Sequence, residues 1–244
     1  MIKFHASVKI ITRDNNDLYA IHKPINIKSI PNTKKAEKNA LIFAEYDHKN
    51  RCYHCDDNEK FFILNRLDSP TSGVMLGCNH IDLARAIRES FQKHNVIKKY
   101  IAITAFRSIP TEGIWKSTVN KINNKTNVRV INGGNLLAIT KYKVLKEISI
   151  YNEKFLLLSL NPITGRTHQL RMHCAMNNLP ILGDKTYGNF KLNDKMFKKF
   201  PNFKKRLYLH SQEIRLEYKY NDKTFKFLAE DTNTEDFDSI IDYK

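Results

Sequence analysis

The amino-acid sequence predicts an α+β fold, with a largely antiparallel mixed sheet flanked by helices. Short apolar segments recur along the chain and are bounded by turn-forming residues, which is typical of strands joined by hairpins. Between them, a few segments carry apolar residues at helical spacing. Of the 244 residues, 41% are hydrophobic and only 8 are Gly and 7 Pro. This composition supports a packed core and argues against a disordered chain.

In the N-terminal half, strands are predicted to alternate with two helices. Two short strands between residues 8 and 30 flank the turn-forming cluster Asp14-Asn15-Asn16-Asp17. The segment 34–50 is basic with an apolar centre and is interpreted as one helix. The other predicted elements of this half are strands at 61–64 and 74–77 and a helix through Ile81, Ala84, Ile87 and Phe91.

The C-terminal half is predicted to contain one helix, which begins near Thr167 and ends by Asn178, among several strands. The predicted strands lie at 99–106, 140–146, 155–160 and 208–218, and the polar stretch 116–135 is predicted to hold strands joined by exposed loops. The tail carries six acids and no base between Glu230 and Asp242, and it is either mobile or packed onto the basic body. Because no repeat or linker interrupts the chain, we expect one domain over residues 1–244 with an acidic tail at about 230–244.

The chain is strongly basic, with 41 Lys and Arg against 25 Asp and Glu and a net charge of +16. This charge favours a polyanionic partner, most commonly nucleic acid. A Lys- and Asn-rich composition typical of an AT-rich genome explains the charge equally well. No apolar run approaches the roughly 20 residues of a membrane span, and the N-terminus has no secretory pattern. We therefore expect a cytoplasmic protein with no membrane partner.

The first candidate for chemistry is the pair Arg66 and Asp68, which a hydrophobic segment delivers into a Ser-Pro-Thr-Ser-Gly turn. Residues i and i+2 of a strand share a face, so these two side chains are predicted to project together. An ionised Asp beside a cation can act as a nucleophile or a base. The alternative is an Asx-type turn in which Asp68 accepts backbone N–H groups from Thr71 or nearby, and spacing alone favours that alternative.

The second candidate is the start of the predicted helix near Thr167, which carries Arg166, His168, Gln169 and Arg171. Free N–H groups at a helix N-terminus favour anions. Cations in the first turn oppose the helix dipole, so helix stability alone does not explain them. The pattern therefore predicts a phosphate site, and the alternative is a solvated basic face.

A metal site is the weakest candidate. The segment Cys52-Tyr53-His54-Cys55 has metal-like spacing, but neither Cys78 nor Cys174 belongs to a second paired knuckle. A structural zinc site needs a complete tetrahedral set. The sequence also lacks a glycine-rich phosphate loop, a His-Glu-x-x-His motif and a nucleophile elbow. We expect no metal and no cofactor.

Taken in order, these segments resemble the RluA-type RNA pseudouridine synthases over most of the chain. The most specific segments are Arg66-Leu67-Asp68 and Thr164-Gly165-Arg166-Thr167-His168-Gln169. The others are Lys23-Pro24, Thr71-Ser72-Gly73, Lys98 with Tyr100-Ile101-Ala102, Thr140-Lys141-Tyr142-Lys143-Val144, Leu170-Arg171-Met172-His173, Pro180-Ile181-Leu182-Gly183-Asp184 and Leu209-His210-Ser211. The sequence departs from the family at Asn65, where a His is usual, and the S4-type RNA-binding module of many relatives is not among the matching segments.

The resemblance implies a catalytic domain with its active-site cleft across the sheet, isomerising uridine to pseudouridine in ribosomal or transfer RNA without a cofactor. Asp68 matches the essential aspartate, Arg171 the basic residue that pairs with it, and Tyr100 the tyrosine that stacks on the flipped base. The implied RNA-binding residues are Arg66, Lys23, Lys98, Arg166, His168 and Gln169. We expect a monomer that acts on a compact RNA stem-loop.

Two alternatives explain the charge without catalysis. One is a non-catalytic RNA-binding or chaperone protein on the same fold, and the other is a basic ribosome-associated structural protein. Neither explains why Asp68, with no metal site evident in the sequence, lies within an otherwise positive surface. The enzyme is therefore the favoured hypothesis.

Overall fold

The computed structural model describes residues 2–55, 59–123 and 128–243, without the side chains of 121–123 and 128–132. Its strands are β1 (Lys9–Arg13), β2 (Leu18–Lys23), β3 (Glu45–Asp47), β4 (Cys52–His54), β5 (Lys60–Ile63), β6 (Ser72–Cys78), β7 (Val96–Ala105), β8 (Glu112–Asn123), β9 (Val128–Asn132), β10 (Leu136–Ile150), β11 (Glu153–Pro162), β12 (Leu209–Tyr220) and β13 (Lys223–Glu230). Its helices are α1 (Ile81–Gln92), α2 (Gln169–Met176), α3 (Phe190–Lys199) and α4 (Glu235–Ile241). None of these helices is long and apolar enough to cross a membrane.

The chain divides into two compact units, which are described separately. The first comprises Met1–Ile97 and Ser211–Thr232, and the second comprises Lys98–His210 and Asn233–Lys244. Strand pairing within both units is antiparallel wherever the register is defined. The predicted class, a mostly antiparallel sheet with helices, is confirmed.

In the first unit, β3, β4, β5, β6 and β12 lie side by side in that order, β13 pairs with β12, and β2 pairs with β1 and β6. Alternation along β6 sends Val74 and Leu76 into one apolar cluster and Met75 into another. Helix α1 packs Leu83 and Ile87 into the first of these clusters. The sheet is therefore buried on both faces near β6, the strand that follows the Asp68 segment.

In the second unit, β7, β11, β10, β8 and β9 lie side by side in that order. Along β10, Ala138, Thr140 and Tyr142 are buried while Lys141 and Lys143 are exposed. The buried face is covered by α2. Its Met172 packs against Val119 and Ala138. This packing fixes the start of α2, where the basic residues predicted to bind phosphate lie.

One predicted helix is wrong. Residues 34–50 form turns and isolated β-bridges, and the short strand β3 is the only regular element among them. The apolar residues there are consecutive rather than spaced for a helix, and they bury through separate long-range contacts. Ala40 bridges to Lys28, and Ile42 bridges to Phe4. The other predicted helices and strands are confirmed within a few residues, whereas α3, α4, β3, β4 and β13 were not predicted.

The acidic tail packs onto the body, as one of the two alternatives proposed. Helix α4 buries Phe237 and Ile240 in the second unit. Its Asp236 accepts a hydrogen bond of 2.7 Å from the buried guanidinium of Arg206. In the first unit, Asp231 is buried and lies 2.5 Å from Nδ1 of His22. Acids of the tail thus bond to specific side chains of the body, Arg206 and His22.

Candidate active site

Asp68 lies in irregular chain between β5 and β6. Because β5 ends at Ile63, strand alternation does not place Arg66 and Asp68 on one face, and that part of the prediction is corrected. Arg66 is exposed, Leu67 is buried, and Asp68 is half-buried. The turn that follows is closed by the backbone, since the N–H of Thr71 donates to the carbonyl of Asp68 at 3.0 Å. The backbone of this turn, rather than a strand, therefore positions Asp68.

The backbone on either side of Asp68 is fixed by a loop from the N-terminal segment. The hydroxyl of Ser29, itself buried, donates to the carbonyl of Leu67 at 2.8 Å and accepts from the N–H of Leu67 at 3.1 Å. The N–H of Asn26 donates to the carbonyl of Ser69 at 2.8 Å. Asn26 has φ of +63°, a left-handed conformation that Asn tolerates better than most residues. These bonds hold the residues immediately before and after Asp68.

Lys23 braces the same segment from inside the protein. Its side chain is fully buried, and Nζ donates to the carbonyls of Pro24 at 2.8 Å, Ile27 at 2.8 Å and Ser69 at 3.1 Å. An ammonium has three N–H donors, so these three bonds match its capacity. The cation is thereby directed at the backbone of the Asp68 turn.

Asn65, the departure from the family pattern, is also a backbone anchor. Its Oδ1 accepts from the N–H of Leu76 at 2.7 Å, next to the bond from the Leu64 N–H to the Leu76 carbonyl at 3.1 Å. An imidazole nitrogen could accept the same bond, so Asn65 can replace a His in this role. Downstream, Gly73 has φ of +118°, and a Cβ there would lie 2.2 Å from the carbonyl oxygen of Ser211. Glycine is therefore required at that position.

In the second unit, Tyr100 and Lys98 lie on β7. Tyr100 is buried apart from 8% of its surface and stands opposite Leu160 of β11. The Nζ of half-buried Lys98 points to the carbonyl of Thr164 at 3.5 Å. Burial lowers the pKa of Lys98 to about 8. Lys98 is therefore still mostly protonated at neutral pH and lies beside the turn that leads to α2.

The turn before α2 is organised by Gln169. Its buried Oε1 accepts from the Thr164 hydroxyl at 2.7 Å and from the Arg166 N–H at 3.0 Å. Its Nε2 donates to the carbonyl of Ile139 at 2.9 Å and to the hydroxyl of Thr140 at 3.0 Å. Gln169 thus ties the turn to β10 and leaves the side chain of Arg166 exposed.

His168 and Arg171 both lie beside Tyr187. His168 has φ of +52° at the start of α2, and its Nδ1 lies 3.1 Å from the Tyr187 hydroxyl. The guanidinium carbon of Arg171 lies 5.3 Å from the centre of the Tyr187 ring. Tyr187 was not predicted as a site residue. Its position opposite two predicted ones makes it part of the candidate site.

Arg171 forms a buried pair with Asp184. Nε and Nη2 donate to the two carboxylate oxygens at 2.8 Å each, and both side chains are at most 5% exposed. Burial alone would raise the pKa of Asp184, but the hydrogen bond and charge of Arg171, with the N–H groups of Tyr187 and Thr186, lower it. Asp184 therefore holds Arg171 in a fixed orientation. The pairing of Arg171 with Asp68 stays a prediction.

His173 extends the network below α2. Its ring is 1% exposed and lies 2.9 Å from the hydroxyls of Thr140 and Ser117. Burial lowers the pKa of His173 to about 4. A neutral imidazole therefore links β8 and β10 to the helix that carries Gln169 and Arg171.

The structure gathers the predicted residues in two places. Lys23 supports the Asp68 turn in the first unit, and Lys98, Arg166 and Gln169 surround the Thr164 turn in the second. The residues that sequence reasoning missed are Asn26, Ser29, His173, Asp184 and Tyr187. Several of them lie within segments that matched the family, but no local pattern showed what they bind.

One group of side chains in the described part of the chain has the spacing of a metal site. Ligand atoms of Asp47, Cys52 and His54 lie within 4.8 Å of one another. The carboxylate of Asp47 already accepts the N–H groups of Lys49 and Asn50 in the hairpin turn. Burial raises the pKa of the Cys52 thiol, which opposes the thiolate form that binds zinc. The expectation of no metal stays a prediction.

Comparisons with known proteins indicate the same family as the matching sequence segments. The family model described as RNA pseudouridylate synthase matches residues 17–176. The chain is 32% identical over 222 residues to ribosomal large subunit pseudouridine synthase C of Rickettsia typhi, covering 88% of this chain and 66% of that protein. It is 31% identical over 225 residues to synthase D of Borreliella burgdorferi, covering 91% and 65%. It is 29% identical over 204 residues to tRNA pseudouridine synthase C of Haemophilus ducreyi, covering 78% of each.

Solved structures show the same fold. Human RNA pseudouridylate synthase domain containing 4 matches with a TM-score of 0.63 and 25% identity, covering 90% of this chain and 87% of that one. The human domain containing 1 protein matches with a TM-score of 0.66 and 17% identity, covering 95% and 86%, and supports the fold alone. The chain spans just under two thirds of the length of the two ribosomal relatives. Since the family model covers most of the chain, including Arg66-Leu67-Asp68 and the start of α2, the chain belongs to the RNA pseudouridylate synthase family.

Proposed function

We propose that this chain converts uridine to pseudouridine in ribosomal or transfer RNA, with Asp68 as the essential catalytic residue. The observation that carries the proposal is the fixed Asp68 turn, whose flanking backbone is held by Ser29, Asn26 and Lys23. A catalytic group gains most when its orientation is set before the substrate arrives. Such fixing of the backbone around a half-buried Asp is not needed for binding a polyanion.

The reaction is an isomerisation. The N1–C1′ glycosidic bond breaks, the uracil turns, C5 bonds to C1′, and the proton lost from C5 is balanced by one gained at N1. The target uridine is flipped out of the RNA stack into the site. Asp68 acts at the ribose or the base of this nucleotide, and Tyr100 stacks on the base.

Two predicted RNA contacts are given another role in this proposal. The polar atoms of Lys23 and Gln169 are buried and bonded to protein groups. We therefore assign them to positioning the Asp68 turn and the Arg166 backbone. Arg66 and Arg166, which are exposed, are left as the RNA-facing cations of these segments, together with Lys98, and His168 is kept as a further RNA contact.

The test uses Asp68→Asn and Asp68→Ala in the full chain. Transcribed ribosomal and transfer RNAs are incubated with each protein, and pseudouridine is mapped by carbodiimide labelling and primer extension. Both variants should lose pseudouridine formation, because no other group replaces the carboxylate, while their circular dichroism stays unchanged. Asp82→Asn, at an exposed acid of α1, is the matched control and should retain full turnover.

The same proteins separate the enzyme from a non-catalytic RNA-binding protein. If Asp68 is catalytic, Asp68→Ala should bind substrate RNA at least as well as the wild type, since an anion near the phosphates is removed. Turnover by Asp68→Ala above a few per cent of wild type would contradict the assignment. A loss of RNA binding as severe as the loss of turnover would make Asp68 a structural turn residue.

A further inference from the structure

Helix α3 and the chain after it form a basic surface that the proposed chemistry does not use. Residues 191–205 contain six lysines, which are Lys191, Lys195, Lys198, Lys199, Lys204 and Lys205. Lys191, Lys195 and Lys198 recur at i, i+4 and i+7, so they share one face of α3, and all are exposed. Like charges at this spacing destabilise a helix by a few tenths of a kcal/mol. Helix stability does not account for Lys191 and Lys195, whereas Lys198 lies in the last turn of α3, where the helix dipole favours cations.

An exposed aromatic ring lies against this lysine-rich segment. Tyr151, in the turn between β10 and β11, is 68% exposed. Its ring stacks on Phe200, with centroids 5.6 Å apart and planes 27° apart, and Phe200 stacks in turn on buried Phe203. The Nζ of Lys199 lies 4.3 Å from the centre of the Tyr151 ring. The Tyr151 ring thus packs on the buried rings of Phe200 and Phe203, while most of its own surface faces solvent.

Acidic side chains neutralise only part of this surface. Lys195 pairs with Glu153, Lys198 lies 3.6 Å from Asp194, and Lys204 lies 3.3 Å from Asp236. In the described part of the chain, no acid pairs with Lys191, Lys199 or Lys205. Exposed ion pairs are weak and easily exchanged, so the lysines can also bind another anion. The surface remains positively charged around the open tyrosine ring.

We propose that this surface, the aromatic–lysine platform of Tyr151, Phe200, Lys191, Lys198 and Lys199, binds a single-stranded segment of the substrate RNA outside the catalytic pocket. One unpaired base stacks on Tyr151, and its neighbouring phosphates lie along the lysines of α3. Unpaired bases stack on aromatic side chains, whereas a duplex hides its base faces. The proposal deepens the proposed function and rests on its RNA substrate.

The test separates stacking from charge with two labelled probes. One is single-stranded oligo(A) of about 12 nucleotides, and the other is a strand of the same length with abasic sites. Tyr151→Ala should weaken binding of oligo(A) by about tenfold and leave the abasic strand unaffected. Tyr151→Phe keeps the ring and should bind both probes as the wild type does. Fluorescence anisotropy gives both affinities.

The lysines are tested with Lys198→Gln combined with Lys199→Gln. The matched control is Lys223→Gln with Lys226→Gln, which removes the same charge from exposed positions of β13. The platform pair should weaken both probes and reduce the salt dependence by about 0.7 per lost phosphate contact, and the control pair should do so far less. Equal losses of affinity in the two double variants, or a Tyr151→Ala protein that binds both probes normally, would contradict the proposed platform.

The pseudouridine assay keeps this test distinct from that of the proposed function. If the wild-type chain modifies no uridine while the probe results follow the expected pattern, the platform proposal is supported and the proposed activity is contradicted. If Asp68→Ala loses turnover as expected while Tyr151→Ala binds oligo(A) like the wild type, the activity stands and the platform fails.

Discussion

Ser29 offers the sharpest test of the fixed Asp68 turn. Ser29→Ala removes one hydroxyl and with it both hydrogen bonds to the backbone of Leu67, at 2.8 and 3.1 Å. Because the site is buried, the Leu67 N–H and carbonyl are left without these partners. A net hydrogen bond contributes about 0.5–1.5 kcal/mol, and a buried orphan group costs about 1–3 kcal/mol. We expect the native conformation of the turn to be destabilised by about 2 kcal/mol, which lowers its population relative to alternatives by roughly thirtyfold.

This change should appear in kcat more than in KM. Asp68 would be misplaced in a larger share of molecules with bound RNA, while the exposed cations proposed to hold the RNA are unchanged. The assay is steady-state pseudouridine formation at several RNA concentrations, with stability followed by urea unfolding. We expect kcat to fall, by up to about thirtyfold, which is the limit set by the population shift.

Ser90→Ala provides the matched control for Ser29→Ala. Ser90 is also a buried serine of the first unit, and its hydroxyl bonds the carbonyls of Ala86 at 3.3 Å and Glu217 at 3.1 Å. Its loss should reduce stability by a similar amount and leave kcat unchanged. A wild-type kcat in Ser29→Ala, or an equal loss of kcat in Ser90→Ala, would refute the idea that Ser29 acts by positioning Asp68.

Two further predictions concern the second unit. Asp184→Asn leaves the buried guanidinium of Arg171 without its anionic partner, so the free energy of unfolding should fall by about 3–5 kcal/mol. Asp82→Asn, which removes an acid from an exposed pair, should lower it by less than about 1 kcal/mol. Similar losses in the two variants would contradict the buried pair. His173 is neutral in the fold because burial lowers its pKa from 6.5 to about 4. Between these values the unfolded chain binds a proton that the folded chain does not, so stability should fall by about 3 kcal/mol as pH drops through this interval. Urea unfolding of wild type and His173→Gln at both ends of the interval checks this, and an equal pH dependence in the two proteins would contradict it.

Elements that follow a local pattern could be predicted from the sequence. Helix α1 has its apolar residues at helical spacing, and the buried strand β6 is a continuous apolar run. The helix predicted over residues 34–50 is wrong because the apolar residues there are buried through contacts with Phe4 and Lys28, which are distant in sequence. The spacing of apolar residues within a segment does not predict contacts with residues outside that segment.

The candidate site shows the same division. Residue types and spacing made Arg66, Asp68 and the basic start of α2 candidates, and the family resemblance implied their roles, but neither could show what orients these groups. Asp184 lies 13 positions after Arg171, and Ser29 lies 38 positions before Leu67. Neither separation follows a helix or strand period, so only the folded chain reveals these pairs.

The cations of this protein divide into two groups that the net charge of +16 does not distinguish. Lys23 and Arg171 belong to the segments that match the family, yet both are buried and bonded to protein groups. Lys191 and Lys199 belong to no recognised segment, yet they are exposed. Buried, paired cations add little to the field that attracts a polyanion, whereas exposed ones release counterions when RNA binds. Affinity for RNA should therefore depend on the exposed cations, which include Arg66 and Arg166 within the family motifs as well as the lysines outside them, and turnover on the buried ones.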